Sequence, residues 1–382
     1  MKKAAVTLLA AAVLVSGAAV YASGTLNGDS LISKSYLTDT YLPDVEKQIS
    51  QRVEEKTQDT YQSALNTLQQ KQQAYLAMAG DGGQGNTGVS SLKDFRFKKG
   101  DVVTITAGSG SMLLAGSATL SYTGSAVVDV TSGQTVAAGT SLTQRHRYLA
   151  GENTTASVEI TSDTAVLSLE GNYSTAPSSN VDYNALADAL FEMGLFQGSG
   201  TGYGGGYDLE NPSTRIMGVV MFLRLIGEEQ AALASTAVNP FADTPDWCDR
   251  YVAYAFEKGY TNGVGENAAG QLLFAPDRQI SADEYVTLIL RALGYTDSGI
   301  IPDFTWDTAV SKSVSYGVFT SGEQSMLAKS DFLRAQVVYL SYFSLNAPMK
   351  TGGVLLDRTI ASSGADRIKF DQIMSGVNVP RL

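Results

Sequence analysis

The C-terminal half of the chain is organised around residues 239–295, which read NPFADTPDWCDRYVAYAFEKGYTNGVGENAAGQLLFAPDRQISADEYVTLILRALGY. After Trp247, apolar residues recur at steps of three and four, which is typical of a helix with one buried face. Gly259 suits a left-handed helix stop. Ser281, followed three residues later by Glu284, forms a capping box that begins a second helix. This stretch predicts a helix, a glycine turn, a loop and a second helix.

The same unit recurs on both sides of this stretch. Similar glycine-led pentapeptides begin at Gly194, Gly259 and Gly317. An aromatic residue precedes each of them by 11 or 12 positions, namely Tyr183, Trp247 and Trp306. One unit is too small to bury its own apolar face, so three copies are expected to pack together. The predicted copies span 182–227, 239–295 and 301–346, and the whole repeat region spans 182–346.

These blocks resemble the S-layer homology (SLH) domain. That family combines an aromatic and acidic opening, a glycine turn, a Phe-x-Pro element and a second helix that opens Ile-Thr-Arg-Ala-Glu. The middle copy carries Pro240-Phe-Ala-Asp, Trp247, Gly259–Gly263, Phe274-Ala-Pro276 and Ile280–Glu284. The resemblance implies an all-α, pseudo-threefold helical bundle. The layout also resembles exported, SLH-bearing envelope proteins of Gram-positive, Clostridia-like bacteria.

The resemblance also implies binding residues, because grooves between SLH repeats bind secondary cell-wall polymer, a glycan that often carries carboxylates. A fixed guanidinium and an aromatic wall suit such a sugar. Carried over by position, the implied glycan-binding residues are Arg215, Arg334, Trp247, Trp306 and Gly263. The sequence departs from the family pattern at Ala282, where arginine is usual.

Structural interpretations compete with these roles. Arg215 could form a helix-start ion pair with Asp208 or Glu210. Both tryptophans could serve mainly in core packing. For Arg224 and Arg291, an ion pair within the bundle or at its surface is the favoured interpretation. We expect no metal and no cofactor, because one cysteine and one histidine cannot supply a His/Cys zinc site.

A β-type pattern precedes the repeats, between residues 94 and 174. Short runs rich in Val, Ile, Leu and Thr alternate with Gly, Ser and Thr, at 101–106, 111–115, 118–122, 126–130, 157–161 and 165–169. This spacing predicts a small all-β domain, a sandwich or a barrel. His146 is interpreted as a strand-end residue with a structural hydrogen bond. A linker at 175–181 follows, and the fold class is multidomain α+β.

The N-terminal segments indicate export. Residues 1–22 have the basic start, apolar run and small-residue end of a secretory signal peptide, with an uncleaved anchor as the alternative. Residues 39–79 predict an amphipathic, coiled-coil-like helix, which either forms a stalk or a homo-oligomer or folds onto a neighbouring domain. Residues 80–93 form a Gly-rich linker. The tail at 347–382 is expected to pack a short helix against the bundle.

The net charge and the sequence motifs favour some classes of function over others. The net charge of -11 argues against nucleic acid as a partner, and membrane contact is expected only through the signal peptide. The leading expectation is a non-catalytic surface protein at the cell wall or S-layer, anchored non-covalently because its SLH repeats bind an anionic, peptidoglycan-linked secondary glycan. One alternative is a structural or assembly protein of the envelope whose degenerate repeats bind protein. A cell-wall glycan hydrolase is a distant third.

Overall fold

The computed structural model describes residues 39, 41–45, 47–49, 51–53, 56, 60, 92–198, 200, 202–329 and 331–382. The chain divides into two compact units, Met1–Thr87 and Gly88–Leu382. The described residues of the first unit are helical, in agreement with the start of the helix predicted at 39–79. The predicted signal peptide, the rest of that helix and most of the 80–93 linker lie outside the described residues.

The second unit opens with antiparallel strands. They are β1 (Lys93–Lys98), β2 (Val102–Ile105), β3 (Gly110–Ala115), β4 (Ala118–Thr123), β5 (Val127–Asp129), β6 (Gln134–Val136), β7 (Thr140–Ser141), β8 (Arg147–Ala150), β9 (Thr155–Ile160), β10 (Thr164–Glu170) and β11 (Tyr173–Ala176). One sheet has the order β1-β10-β3-β8-β5-β6 and the other β11-β2-β9-β4-β7. The two sheets share one apolar core, so they form a sandwich.

All six β-type runs of the sequence are strands, and they correspond to β2, β3, β4, β5, β9 and β10. Strands β1 and β11 were not predicted, and both lie at sheet edges. Every residue of β11 is exposed, so no alternation marks it. The strands therefore reach into both predicted linkers, to Lys93 at one end and Ala176 at the other.

His146 lies directly before β8, and its Nδ1 is 2.7 Å from Asp129 Oδ2. The predicted structural hydrogen bond is confirmed.

The helical part follows. Its helices are α1 (Tyr183–Glu192), α2 (Arg215–Leu225), α3 (Glu229–Ala234), α4 (Asp249–Glu257), α5 (Ala282–Ala292), α6 (Ala309–Ser315), α7 (Ser321–Lys329), α8 (Arg334–Ser344), α9 (Leu355–Ser363) and α10 (Arg367–Gly376). A ribbon of β12 (Gly265–Glu266) and β13 (Leu272–Leu273) lies between α4 and α5.

The three copies agree in the length of their second helix and in their glycine turns. The second helices, α2, α5 and α8, have 11 residues each. The turn glycines Gly194, Gly259 and Gly317 all have left-handed φ angles, between 69° and 74°. The capping box of α5 is confirmed, since Ser281 Oγ accepts from the Glu284 amide and Glu284 Oε2 from the Ser281 amide.

One apolar cluster runs through all three copies and into the tail. The tail contains two helices, α9 and α10, where the sequence predicted one. Leu355, Leu356 and Phe370 are buried in the cluster. The tail is therefore part of the helical core.

Polar contacts join the sandwich to the helices. Arg96 of β1 makes a bidentate pair with Asp188 of α1, with both N–O distances at 2.9 Å. Gln336 of α8 donates to Asp163 at 2.8 Å. Residues 203–206 cover the outer face of β10. Gly204 lies so close to this strand that an added Cβ would be 3.3 Å from the Val166 side chain.

Candidate ligand groove between the repeats

A groove of about 690 Å³ opens where the three copies meet. The first copy contributes Arg215 and Val219 from α2. The third contributes Trp306. The second copy supplies most of the lining, including Thr261, Asn262, Gly263, Arg278, Glu284, Thr287 and Arg291. The groove exists only when the copies are packed, so no single repeat contains it.

Arg215 is the first residue of α2 and forms the deep wall of the groove. Its Nε donates to the Phe274 carbonyl at 2.9 Å, and its Nη1 to Glu284 Oε1 at 2.8 Å. The guanidinium lies over the Phe274 ring, 5.0 Å from the centroid. Burial lowers the pKa of Arg215, against the opposing charge of Glu284. The alternative ion pair with Asp208 or Glu210 was wrong, because packing brings a carboxylate of the second copy to this helix start.

Glu284 is shared between two arginines. Its Oε1 also accepts from Arg278, whose side chain is half-exposed. Burial alone would raise the pKa of Glu284, but hydrogen bonds from Arg278 and the Ser281 amide and the charge of Arg215 hold it below the ordinary value. One carboxylate therefore balances two guanidinium groups.

Arg291 lines the groove from the far end of α5. It pairs with Asp297 at 2.5 Å and donates to the Tyr260 carbonyl. The predicted ion pair of Arg291 is confirmed, and that of Arg224 also, with Glu229 at 2.7 Å. Three arginines therefore line the groove with two carboxylates, Glu284 and Asp297, which leaves an excess of positive charge for an anion.

Thr287 is a lining residue of this groove, in the middle of α5. The residue is 5% exposed, and its Oγ1 has no hydrogen-bond partner within the described structure. A buried polar atom without a partner costs free energy of about 1–3 kcal/mol.

The two tryptophans are surface residues, and their expected core packing was wrong. Trp247 is 64% exposed and Trp306 62% exposed. Each lies on a short 3-10 turn that precedes the first helix of its copy, at Asp246–Cys248 and Trp306–Thr308. Trp306 lines the groove, and Trp247 is not among the lining residues. Only Trp306 can offer its ring to a ligand bound there.

Gly263 has a steric reason to be glycine. Its φ is 79°, and a Cβ would press on the Phe241 ring and lie 2.5 Å from the Leu273 carbonyl. Its amide donates to Thr261 Oγ1 at 3.2 Å. Gly263 therefore shapes the groove wall through its backbone.

Arg334 is buried at the start of α8, away from the groove. Its Nε donates to the Tyr207 carbonyl at 3.0 Å and its Nη2 to the Gln197 carbonyl at 3.3 Å. Its guanidinium lies 5.4 Å from the Phe196 ring centroid. Burial lowers its pKa, and the charge of Asp208 opposes that shift. Arg334 repeats the stacking of Arg215 at the junction between the third and first copies.

The structure thus brings together three of the five predicted residues, Arg215, Gly263 and Trp306. Arg278, Glu284 and Thr287 also line the groove and were not among the predicted binding residues. The spacing of Glu284, Thr287 and Arg291 at steps of three and four places them on one helix face, and that signal was present in the sequence.

Among the described residues, His, Cys, Asp and Glu side chains do not gather in threes that could hold a metal ion. No helix in the described part of the chain is both long and apolar enough to cross a membrane.

The chain is similar to the Middle cell wall protein of Brevibacillus brevis, with 28% identity over 155 residues. The similarity covers 40% of this chain and 14% of that protein. The chain therefore corresponds to a small part of its relative. No profile of a known protein family matches the chain.

Proposed function

We propose that this protein is an exported, non-catalytic component of the bacterial cell surface that is held on the cell wall by SLH-like repeats. In this proposal, the groove binds an anionic secondary cell-wall glycan. The similarity to a protein named Middle cell wall protein supports the location. The helix–turn–helix units and their left-handed glycines support the SLH-like, pseudo-threefold bundle.

One observation carries the proposal for the groove. Arg215, Arg278 and Arg291 line a cavity that is also lined by Trp306, whose side chain is exposed. Guanidinium groups bind carboxylates with directed, charge-assisted hydrogen bonds. An indole ring offers a flat apolar surface to the carbon face of a sugar ring. An acidic saccharide combines the two features that this lining would bind, a carboxylate and an apolar ring face.

The test is sedimentation of the purified chain with isolated cell walls, native or chemically stripped of secondary polymer. We expect binding to native walls and loss of binding to stripped walls. Trp306→Ala should weaken wall binding by about tenfold, equivalent to about 1.4 kcal/mol, because an aromatic anchor would be lost. The exposed ring contributes little to folding, so the variant should keep its unfolding midpoint.

Trp247→Ala is the matched control, because Trp247 has the same exposure and the same kind of turn but lies outside the groove lining. It should bind walls like the unaltered chain. For charge, Arg278→Ala should weaken binding and Arg367→Ala, on the exposed tail helix, should not. Equal sedimentation with both wall preparations, or equal losses for the two tryptophan variants, would refute the proposal.

A further inference from the structure

The three copies predict a second site with the same geometry as the groove. Counted from the helix starts at Ala282 and Arg334, Tyr339 occupies the position of Thr287, and Phe343 that of Arg291. Counted from the turn glycines, Val318, Thr320 and Gly322 occupy the positions of Tyr260, Asn262 and Val264. We call Val318, Thr320, Gly322, Tyr339 and Phe343 the third inter-repeat site.

The aromatic residues support this equivalence. Trp306 of the third copy opens onto the groove beside Thr287. In the third inter-repeat site, Tyr183 of the first copy lies against Tyr339, with ring centroids 5.9 Å apart. Tyr183 is buried, in contrast to Trp306. The buried ring of Tyr183 therefore closes the third inter-repeat site on the side where Trp306 leaves the groove open.

The end of the described chain fills this site. Arg381 Nη2 donates to the Val318 carbonyl at 2.7 Å, as Arg291 donates to the equivalent Tyr260 carbonyl in the groove. The Arg381 guanidinium lies over Phe343, 5.5 Å from the ring centroid. Arg381 thus brings a guanidinium to a site whose own helix carries phenylalanine at the arginine position.

Leu382 completes the contact through its backbone. Its amide donates to Tyr339 Oη at 2.8 Å, and its carbonyl accepts from Thr320 Oγ1 at 2.7 Å. Tyr339 thus makes the kind of contact that its counterpart Thr287 lacks. A Cβ on Gly322 would lie 2.7 Å from the carbonyl carbon of Leu382, so the segment rests directly on this glycine.

Glu323 forms an ion pair with Arg381 in this site. It is fully buried, and its oxygens accept from Arg381 Nε at 2.8 Å and Nη2 at 2.9 Å. A buried carboxylate requires such a partner, because an unpaired charge in the interior is costly. The site is therefore built to receive a guanidinium from outside its own helices.

We propose that Arg381 and Leu382 act as an intramolecular ligand of the third inter-repeat site and close it to other ligands. The recognised chemistry is that of a short peptide in which an arginine precedes an apolar residue. This assignment depends on the equivalence of the copies and not on glycan binding, so the two proposals can fail separately.

The test uses a fluorescein-labelled peptide with the sequence of residues 377–382, whose binding is followed by fluorescence anisotropy. Three chains are compared: the unaltered chain, a chain ending at Val379, and Gly322→Ala. The substitution places a methyl group against Leu382 and should displace the segment, while helix α7 should be kept because alanine is a better helix former than glycine. Circular dichroism and thermal unfolding establish that each chain is folded.

We expect both altered chains to bind the peptide saturably, at least about tenfold more tightly than the unaltered chain, because a tethered competitor acts at an effective concentration in the millimolar range. A peptide carrying Arg381→Ala should not bind. Folded variants that bind no peptide would overturn the proposal, as would equal binding by all three chains. Unfolding of both variants would also overturn it, since the segment would then be part of the structural core.

Discussion

Gly263→Ala tests whether the groove wall depends on a backbone that only glycine can adopt. Gly263 has a φ of 79°, in the left-handed region, and a Cβ there would meet the Phe241 ring and the Leu273 carbonyl. Gly259 is a matched control. Its φ is 71°, but a Cβ at Gly259 would meet open space.

Both substitutions place alanine in left-handed backbone, and only Gly263→Ala also adds a steric clash. Left-handed backbone costs a non-glycine residue about 1–2 kcal/mol. Overpacking against fixed neighbours adds about 1–3 kcal/mol. We therefore expect Gly263→Ala to lower the free energy of unfolding by about 2–5 kcal/mol, and Gly259→Ala by about 1–2 kcal/mol.

Urea denaturation followed by circular dichroism measures both values. The slope of the free energy of unfolding against urea concentration should be the same for all chains. The urea concentration at the midpoint then reports stability directly. Equal destabilisation by the two substitutions would refute the reasoning, because it would mean that Phe241 and Leu273 move aside at no cost. A Gly263→Ala chain as stable as the unaltered one would refute it more directly.

Two further predictions concern the charges of the groove. Arg215→Ala should lower the free energy of unfolding by about 3 kcal/mol, because it breaks a buried pair, whereas Arg278→Ala, at a half-exposed pair with the same carboxylate, should cost less than about 1 kcal/mol in the same urea assay. Similar losses for both would contradict the burial argument. Glu284 has a pKa held below its ordinary 4.5, so its stabilising contribution is present above that pH and is lost as pH falls through the lowered value. The gap in thermal midpoint between the unaltered chain and Glu284→Gln should therefore be wide at pH 7 and should narrow as pH falls below 4.5, and a gap that stays constant would contradict this.

Local signals along the chain predicted the individual elements well. Gly259 and the Ser281–Glu284 capping box act within a few residues of themselves, and the structure has both as expected. The same holds for the β-type runs, several of which alternate between more and less buried residues, whereas β10 is buried along almost its whole length. The edge strand β11 escaped prediction because it buries nothing and its pairing with β2 is a contact between distant residues.

The contacts of the site residues Arg215 and Trp306 were not predicted correctly. The competing interpretation of Arg215 placed its ion pair within its own copy, yet its carboxylate partner is Glu284, 69 residues away. Trp306 was expected mainly in the core, yet it lies exposed on the groove, because only docking of the third copy decides which side of its turn faces the others.

The sequence by itself thus determined the repeated unit, its turns and the presence of arginine at two of three helix starts. Only the tertiary structure decided that Arg215 enters a groove with Arg278, Arg291 and Trp306, while Arg334 is buried against carbonyls of the first copy. The physical reason is the separation in sequence between the residues that make each contact. Helix caps and left-handed glycines are set by neighbours in the chain, whereas a groove between repeats is set by how three apolar faces pack.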